Sequence, residues 1–277
     1  MASSLSEALG IIGTLRRAGV IAPMRPDRYL KIAAAMRREG MGMTVGFAGA
    51  AQRCPDRPGL IDELGTLTWR QLDERINAFA AALQGLPASG RPDGQTNTVG
   101  VMCRNHRGFV EAVVAANRIG SDVVLLNTSF AGPALADVVS REGVDAVVYD
   151  EEFTDTVDRA LAGRPQATRI VAWTEGRHDL TVEGLIAGHA GQRPERSGSK
   201  GRMILLTSGT TGTPKGANQS GGNAGIGTLK AILDRTPWRA EETIVIAAPM
   251  FHAWGFSQLI FAASMACTVV TRRKFDP

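Results

Sequence analysis

Met203-Ile-Leu-Leu-Thr-Ser-Gly-Thr-Thr-Gly-Thr-Pro-Lys-Gly216 carries an apolar strand, Met203 to Leu206, straight into a run of hydroxyl residues and glycines closed by one proline and one lysine. Each residue type has a reason in phosphate chemistry. Gly209, Gly212 and Gly216 let the backbone approach an anion closely and take positive φ, so consecutive N–H groups can converge into a nest. Thr207, Ser208, Thr210, Thr211 and Thr213 add short hydroxyl donors, and Lys215 adds a point charge. The stretch therefore reads as a polyphosphate loop. It is not a Walker A loop, which places Lys directly after the last glycine and then opens a helix, whereas here Thr213 and Pro214 intervene and Gly216 follows. A ligand-free Gly/Thr linker is the plain alternative, and launch from a buried strand speaks against it.

Upstream of the loop the pattern alternates. Val99 to Cys103, Asp122 to Leu126, Ala146 to Tyr149 and Arg169 to Trp173 read as strands, with helices expected over Phe109 to Ile119, Ala134 to Glu142 and Phe153 to Leu161. Such alternation implies right-handed crossovers and an α/β fold of mainly parallel sheets flanked by helices. Further upstream, Pro55, Pro58, Gly59 and Gly65 punctuate a hairpin-like segment. Thr68 follows as the expected cap of a helix from Trp69 to about Leu83, with Leu72, Ile76, Phe79 and Leu83 as its apolar stripe. Gly188 to Lys200 reads as a linker.

The chain has 277 residues, 44% hydrophobic and 21% charged, which excludes a disordered or collagen-like chain. Lys plus Arg is 31 against 27 for Asp plus Glu, a surplus of +4 that is too small for a nucleic-acid-binding protein working through clustered cations. Residues 1–40 hold seven cations (Arg16, Arg17, Arg25, Arg28, Lys31, Arg37 and Arg38) against three anions (Glu7, Asp27 and Glu39), which accounts for the whole surplus. Two short amphipathic helices fit this leader. It reads either as a helical arm packed on its own domain, the preferred reading, or as a peripheral contact with anionic lipid at the inner membrane face. Cys54, Cys103 and Cys267 show neither a disulfide framework nor metal-ligand spacing, so a reducing, cytoplasmic setting is expected. No apolar run approaches the ~20 residues of a spanning helix.

Thr207 to Gly216 resembles, position for position, the signature loop of the adenylate-forming (AMP-binding) enzymes, the group of acyl-CoA synthetases, luciferases and peptide-synthetase adenylation domains. Leu67-Thr-Trp-Arg-Gln-Leu72, the passage from Ala115 to Asn127, Pro249-Met-Phe-His-Ala253 and Phe275-Asp-Pro277 are similar to further segments of that family. The resemblance covers roughly Phe47 to Pro277. It implies activation of a carboxylic acid with ATP and Mg²⁺ to an acyl-adenylate, then transfer to a thiol, usually coenzyme A. It also implies that Thr207, Ser208, Gly209, Thr210, Thr211, Gly212, Thr213 and Lys215 hold the phosphates, that Thr207 reaches the metal, and that Lys215 and His252 serve catalysis.

The other histidines, His106, His178 and His189, match nothing in the family. Trp254 and Phe256 sit near the place of aromatic gate residues, with a spacing that assigns neither. Asn218 to Asn223 departs from the family's usual continuation after the loop. The expected organisation is a basic helical leader over 1–45, a first α/β subdomain over 46–198, and the loop strand with the start of a second over 199–277. The chain thus corresponds to the N-terminal portion of the family's large domain, truncated and without the C-terminal domain, and an inactive fragment is expected. A fatty acid is the expected substrate, on the apolar residues Phe251, Trp254, Phe256, Ile260 and Phe261. The alternatives are an aryl or amino acid, or a non-catalytic nucleotide-binding or interaction remnant.

Overall fold

The computed structural model describes residues 2–40, 42, 44–86, 97–198, 201–207, 215–219 and 230–274. The leader forms two helices, α1 (Ala2–Arg17) and α2 (Pro26–Glu39), the second opening on a proline whose fixed φ suits the first helical turn. Helix α3 (Val45–Arg53) precedes the hairpin of β1 (Pro58–Asp62) and β2 (Gly65–Thr68), and helix α4 (Trp69–Gln84) follows at once. Thr68 starts α4 by the expected cap. Its hydroxyl accepts from the Gln71 N–H while the Gln71 side chain accepts from the Thr68 N–H, satisfying two donors that the first turn would otherwise leave open. Trp69 then packs over Gly59, where a Cβ would stand 2.8 Å from the indole.

The alternating region forms a six-stranded sheet. Its strands are β3 (Thr98–Met102), β4 (Asp122–Leu125), β5 (Ala146–Asp150), β6 (Thr168–Trp173), β7 (Met203–Thr207) and β8 (Lys215–Gln219), in the order β6-β5-β3-β4-β7-β8. All neighbours are parallel except β7 and β8. Alternate residues sort onto the two faces. Val101, Val123, Leu125, Val148, Ile170 and Leu205 pack with α4, α5 (Arg107–Arg118) and α8 (Val182–Gly188). Met102, Val124, Leu126, Val147, Tyr149 and Ile204 pack with α6 (Gly132–Glu142) and α7 (Thr154–Ala160). Covered on both faces, these strands need continuous apolar runs, which is why they are legible in the sequence. Each fully buried Val, Leu or Ile contributes roughly 1.5–3 kcal/mol relative to exposure.

A second, four-stranded sheet has the order β2-β1-β10-β9, built from β9 (Thr243–Ile246) and β10 (Thr268–Thr271) with α9 (Ala253–Ser264) crossing between them. Here β1 runs parallel to β10, with Leu60 opposite Val269. Sheet membership crosses residue 198: β7 lies on β4 in one sheet, and β1 lies on β10 in the other. Helices α3 and α9 approach closely, since a Cβ on Gly46 would lie 2.7 Å from the Ser264 nitrogen. The described part of the Gly188–Lys200 segment is tied to α4, with Gln84 and Glu195 exchanging side-chain and backbone hydrogen bonds of 3.0 and 2.9 Å. Residues 199 and 200 lie outside the described residues, as do the segment 220–223 and the Phe275-Asp-Pro277 segment.

Candidate functional site at the carboxyl edge of the sheets

Parallel strands present their carboxyl ends along one edge, where ligands of open α/β sheets bind. The pair Leu125–Leu205 fixes the register of β4 and β7, so Asn127 and Thr207 each lie two residues past it at that edge. Thr207 is paired with Lys215 across the antiparallel β7–β8 ladder, so the two ends of the phosphate-loop sequence stand side by side. Ser208, Gly209, Thr210, Thr211, Gly212 and Thr213 lie outside the described residues. The structure therefore brings together the backbones of Thr207 and Lys215 from the expected set.

The turn leaving β3, Arg104 to Arg107, is tied to the surrounding chain by four consecutive side chains. Arg104 pairs with Glu152 at 2.6 Å, and Arg107 grips the buried Asp62 at 2.6 Å. Burial alone would raise the Asp62 carboxyl, but the bonds and charge of Arg107 outweigh it and hold the group below the ordinary carboxylate range. Asn105 spans to the other sheet: its amide donates to the Ala248 carbonyl at 2.9 Å, and its oxygen accepts from the Met250 N–H at 2.8 Å. His106 is fully buried. Its Nδ1 accepts from the Gly108 N–H at 3.0 Å, so the proton sits on Nε2 and is directed at Asp150 Oδ1, 2.7 Å away. Trp173 packs edge-on against the imidazole, and the Arg273 guanidinium lies over that indole.

The ligand atoms of Cys103, His106 and Asp150 lie within 4.8 Å of one another, yet both ring nitrogens of His106 are already engaged, so this arrangement is a structural brace and not a metal site. Burial pushes the Cys103 thiol well above its ordinary value, and burial with the Glu241 charge pushes Cys54 to about 11. Neither supplies a thiolate at neutral pH.

Two further histidines are also engaged. His178 bonds Glu151 at 2.8 Å, and together with the Thr174 hydroxyl and the Glu175 N–H it holds the Glu151 carboxyl at about 2. His189 bonds the Leu185 carbonyl through Nδ1. His252 differs. It is exposed at the start of α9, at the carboxyl end of β9, with extended backbone (φ −91°, ψ 151°) and no capping bond from its ring. Gly255 makes this start possible, because a Cβ there would lie 2.3 Å from the Pro249 carbonyl oxygen. Phe251 packs beside the His252 ring at 4.4 Å between centroids. Asn105, by holding Ala248 and Met250, fixes the segment that carries His252.

The apolar residues read as a fatty-chain lining separate into two groups. Phe251 and Phe256 are core, at 7% and 1% exposure, and Ile260 and Phe261 are half-buried against that core, whereas Trp254 is 68% exposed beside His252. Asn105, His106 and Asp150 carried no motif. Their only signal is a polar residue at, or a few residues past, the carboxyl end of an apolar parallel strand, the edge where ligands bind.

A sequence model of the family described as AMP-binding enzyme matches residues 47–277. A feruloyl-CoA synthase of Amycolatopsis sp is 27% identical over 215 residues, covering 76% of this chain and 40% of that protein. A long-chain-fatty-acid–CoA ligase of Mycobacterium tuberculosis is 24% identical over 213 residues, with the same coverage of 76% and 40%. This chain thus spans about two fifths of the length of these curated relatives. The solved N-terminal domain of FACL13 from Mycobacterium tuberculosis superposes with a TM-score of 0.70 at 20% identity, covering 85% of this chain and 58% of that one, which is a likeness of fold.

Proposed function

Because this chain belongs to the AMP-binding enzyme family, we propose that the protein it represents activates a carboxylic acid with ATP to an acyl-adenylate and then transfers the acyl group to coenzyme A. The observation that carries this reading is the pairing of Thr207 with Lys215, the two ends of the loop sequence, at the carboxyl edge of a parallel sheet. Attack of a carboxylate oxygen on the α-phosphorus forms the acyl–phosphate bond, breaks the α–β anhydride and leaves negative charge on pyrophosphate. Backbone N–H groups and hydroxyls of Thr207, Ser208, Gly209, Thr210, Thr211, Gly212 and Thr213, with the Lys215 ammonium, are suited to that charge. Mg²⁺, held by the Thr207 hydroxyl together with the phosphates, would neutralise part of it. Thr207 at a strand end, with its hydroxyl chemistry and its Lys215 neighbour, fits such a role.

His252, whose ring makes no capping bond, is available to a substrate where the other three histidines are engaged. The acid is a fatty acid in our reading. The exposed Trp254 beside His252 and a fatty-acid ligase among the relatives favour it, and a feruloyl-CoA synthase at comparable identity keeps an aryl acid as the second reading. The protein is assigned to the cytoplasm in this reading, and no helix among the described residues is long and apolar enough to cross a membrane.

The test is pyrophosphate release by the protein across a panel of fatty, aryl and amino acids. Release that depends on a long-chain acid supports the fatty-acid reading, and release with aryl acids alone replaces it. The 277-residue chain by itself is expected to bind Mg–pyrophosphate without turnover, and sustained turnover would contradict that expectation.

A further inference from the structure

Helix α1 ends in a turn that gives three consecutive carbonyls to the rest of the protein. Gly19, at φ 74°, takes the left-handed backbone that such a helix end requires. The Val20 N–H returns to the Leu15 carbonyl at 2.9 Å and the Gly19 N–H to the Arg16 carbonyl at 3.1 Å. The helix thereby closes on itself and leaves the carbonyls of Ala18, Gly19 and Val20 for other partners. All three are taken. The Ala240 N–H donates to Ala18 at 2.8 Å. The Arg53 guanidinium donates to Gly19 at 2.7 Å and to Val20 at 2.6 Å, while its Nε binds Glu241 at 2.8 Å.

One turn earlier, the buried Thr14 hydroxyl donates to Asp234 Oδ1 at 2.7 Å and accepts from Arg17 at 3.0 Å, and Lys230 holds the other Asp234 oxygen. Ala18 is buried, and Val20, Leu233, Trp238 and Ala240 pack against the same core. Every group of the body held here, from Asp234 to Glu241, lies in the connection that runs from β8, where Lys215 closes the loop sequence, to β9. That connection in turn supports α9. Trp238 packs edge-on against Phe261 of α9 at 4.7 Å between centroids, and the Glu241 N–H donates at 3.0 Å to the carbonyl of Met265, the residue after α9. At its other end α9 starts at His252, whose carbonyl accepts from the Phe256 N–H at 2.9 Å.

Taking His252 and Trp254 as the groups that meet the acid, as in the function proposed above, we propose that the leader is a strap over the β8–β9 connection and that Thr14 and Arg53 are positioning residues for the acid site. Fixed contacts run from Thr14 and Ala18 through residues 234–241 to Phe261 and Met265, and so to the helix whose start carries His252 and Trp254. Asn105 pins the turn before that helix, and the strap pins its far end. The loop sequence is held separately, because Thr207 and Lys215 are paired with each other across β7 and β8. Loosening the strap therefore disturbs the acid and spares the nucleotide.

Hydrogen exchange on the 277-residue chain tests the strap without reference to activity. Thr14→Val, which keeps the shape and removes the donor, should speed exchange about 10-fold at Ala240, Glu241 and Phe256, and leave Val101 and Val148 of the six-stranded sheet unchanged. Thr14→Ser, which keeps the hydroxyl, should restore the slow rates. Gly19→Ala, which strains the left-handed turn without touching Asp234, should reproduce the effect of Thr14→Val. Faster exchange confined to the leader's own amides, such as those of Gly19 and Val20, would make the leader a separable arm and overturn the proposal. In the whole protein, Thr14→Val should raise KM for the acid about 3-fold or more and leave KM for Mg–ATP unchanged. An unchanged acid KM, or an equal rise for Mg–ATP, would overturn the positioning role. Absence of acid-dependent pyrophosphate release in the unaltered protein would sink the function reading and with it the acid-site role, and the exchange rates would still decide the strap.

Discussion

Two turns at neighbouring strand ends each carry a histidine, and the chain uses them in opposite ways. In the turn after β3, every side chain from Arg104 to Arg107 is tied to the protein itself, and His106 is sealed against Asp150 with both nitrogens engaged. In the turn after β9, His252 stands exposed at a helix start, and the bonds that fix its backbone come from Asn105 of the first turn. One turn is a brace and the other is what the brace presents. A histidine near a carboxyl edge is therefore a candidate for chemistry only if its ring is still free.

The sharpest way to break this contrast is to remove the brace. His106→Ala removes the hydrogen-bond donor to the buried Asp150 Oδ1, while Oδ2 keeps the Arg104 N–H, and opens a cavity; it should cost about 2–5 kcal/mol of stability by urea denaturation, and a loss under 1 kcal/mol would erase the distinction between the turns. Asn105→Ala leaves the Met250 N–H without its partner and should cost about 1–3 kcal/mol. It should also raise the hydrogen-exchange rate at Met250, and slow exchange there would show that another group holds the segment.

Acid titration probes the same turn through Asp62. Its folded carboxyl lies below the unfolded value of about 3.9, so its contribution is complete above that value and is lost as pH falls through the lower folded one. In Asp62→Asn the acid limb of the stability curve should be flatter over that window, and an unchanged limb would contradict the assignment. The smallest stability effect belongs to His252→Ala, within about 0.5 kcal/mol. Acid-dependent pyrophosphate release by the whole protein should nevertheless fall about 10-fold or more with loss of a charge-assisted bond.

The sequence made β3 to β7 of the six-stranded sheet legible because these strands are apolar runs covered by helices and the helices carry apolar stripes at helical spacing; β8, inside the stretch read as the phosphate loop and its continuation, was not legible as a strand. Thr68 announced α4 through a cap that needs only local residues. The pairing of β1 with β10 was not legible, since Leu60 and Val269 meet across the length of the chain and nothing near either residue encodes the other. Helix α3 escaped because its small residues, Ala48, Ala50 and Ala51, pack by close approach and not through a stripe of large side chains. The phosphate loop announced itself by composition. The His106 brace could not, because its partner Asp150 comes from a different strand and a lone histidine in a sequence does not reveal whether its nitrogens are engaged.

Binding of Mg–pyrophosphate to the 277-residue chain, followed by ³¹P line broadening, tests the assignment of the Thr207 to Lys215 loop most directly. The account predicts saturable binding that Lys215→Ala weakens about 10-fold to 100-fold, as expected for loss of a charged hydrogen bond. It also predicts that the double variant Arg25→Gln with Arg28→Gln, at the opposite edge of the four-stranded sheet, leaves this binding unchanged. Undiminished binding in Lys215→Ala, or no binding by the unaltered chain, would contradict it.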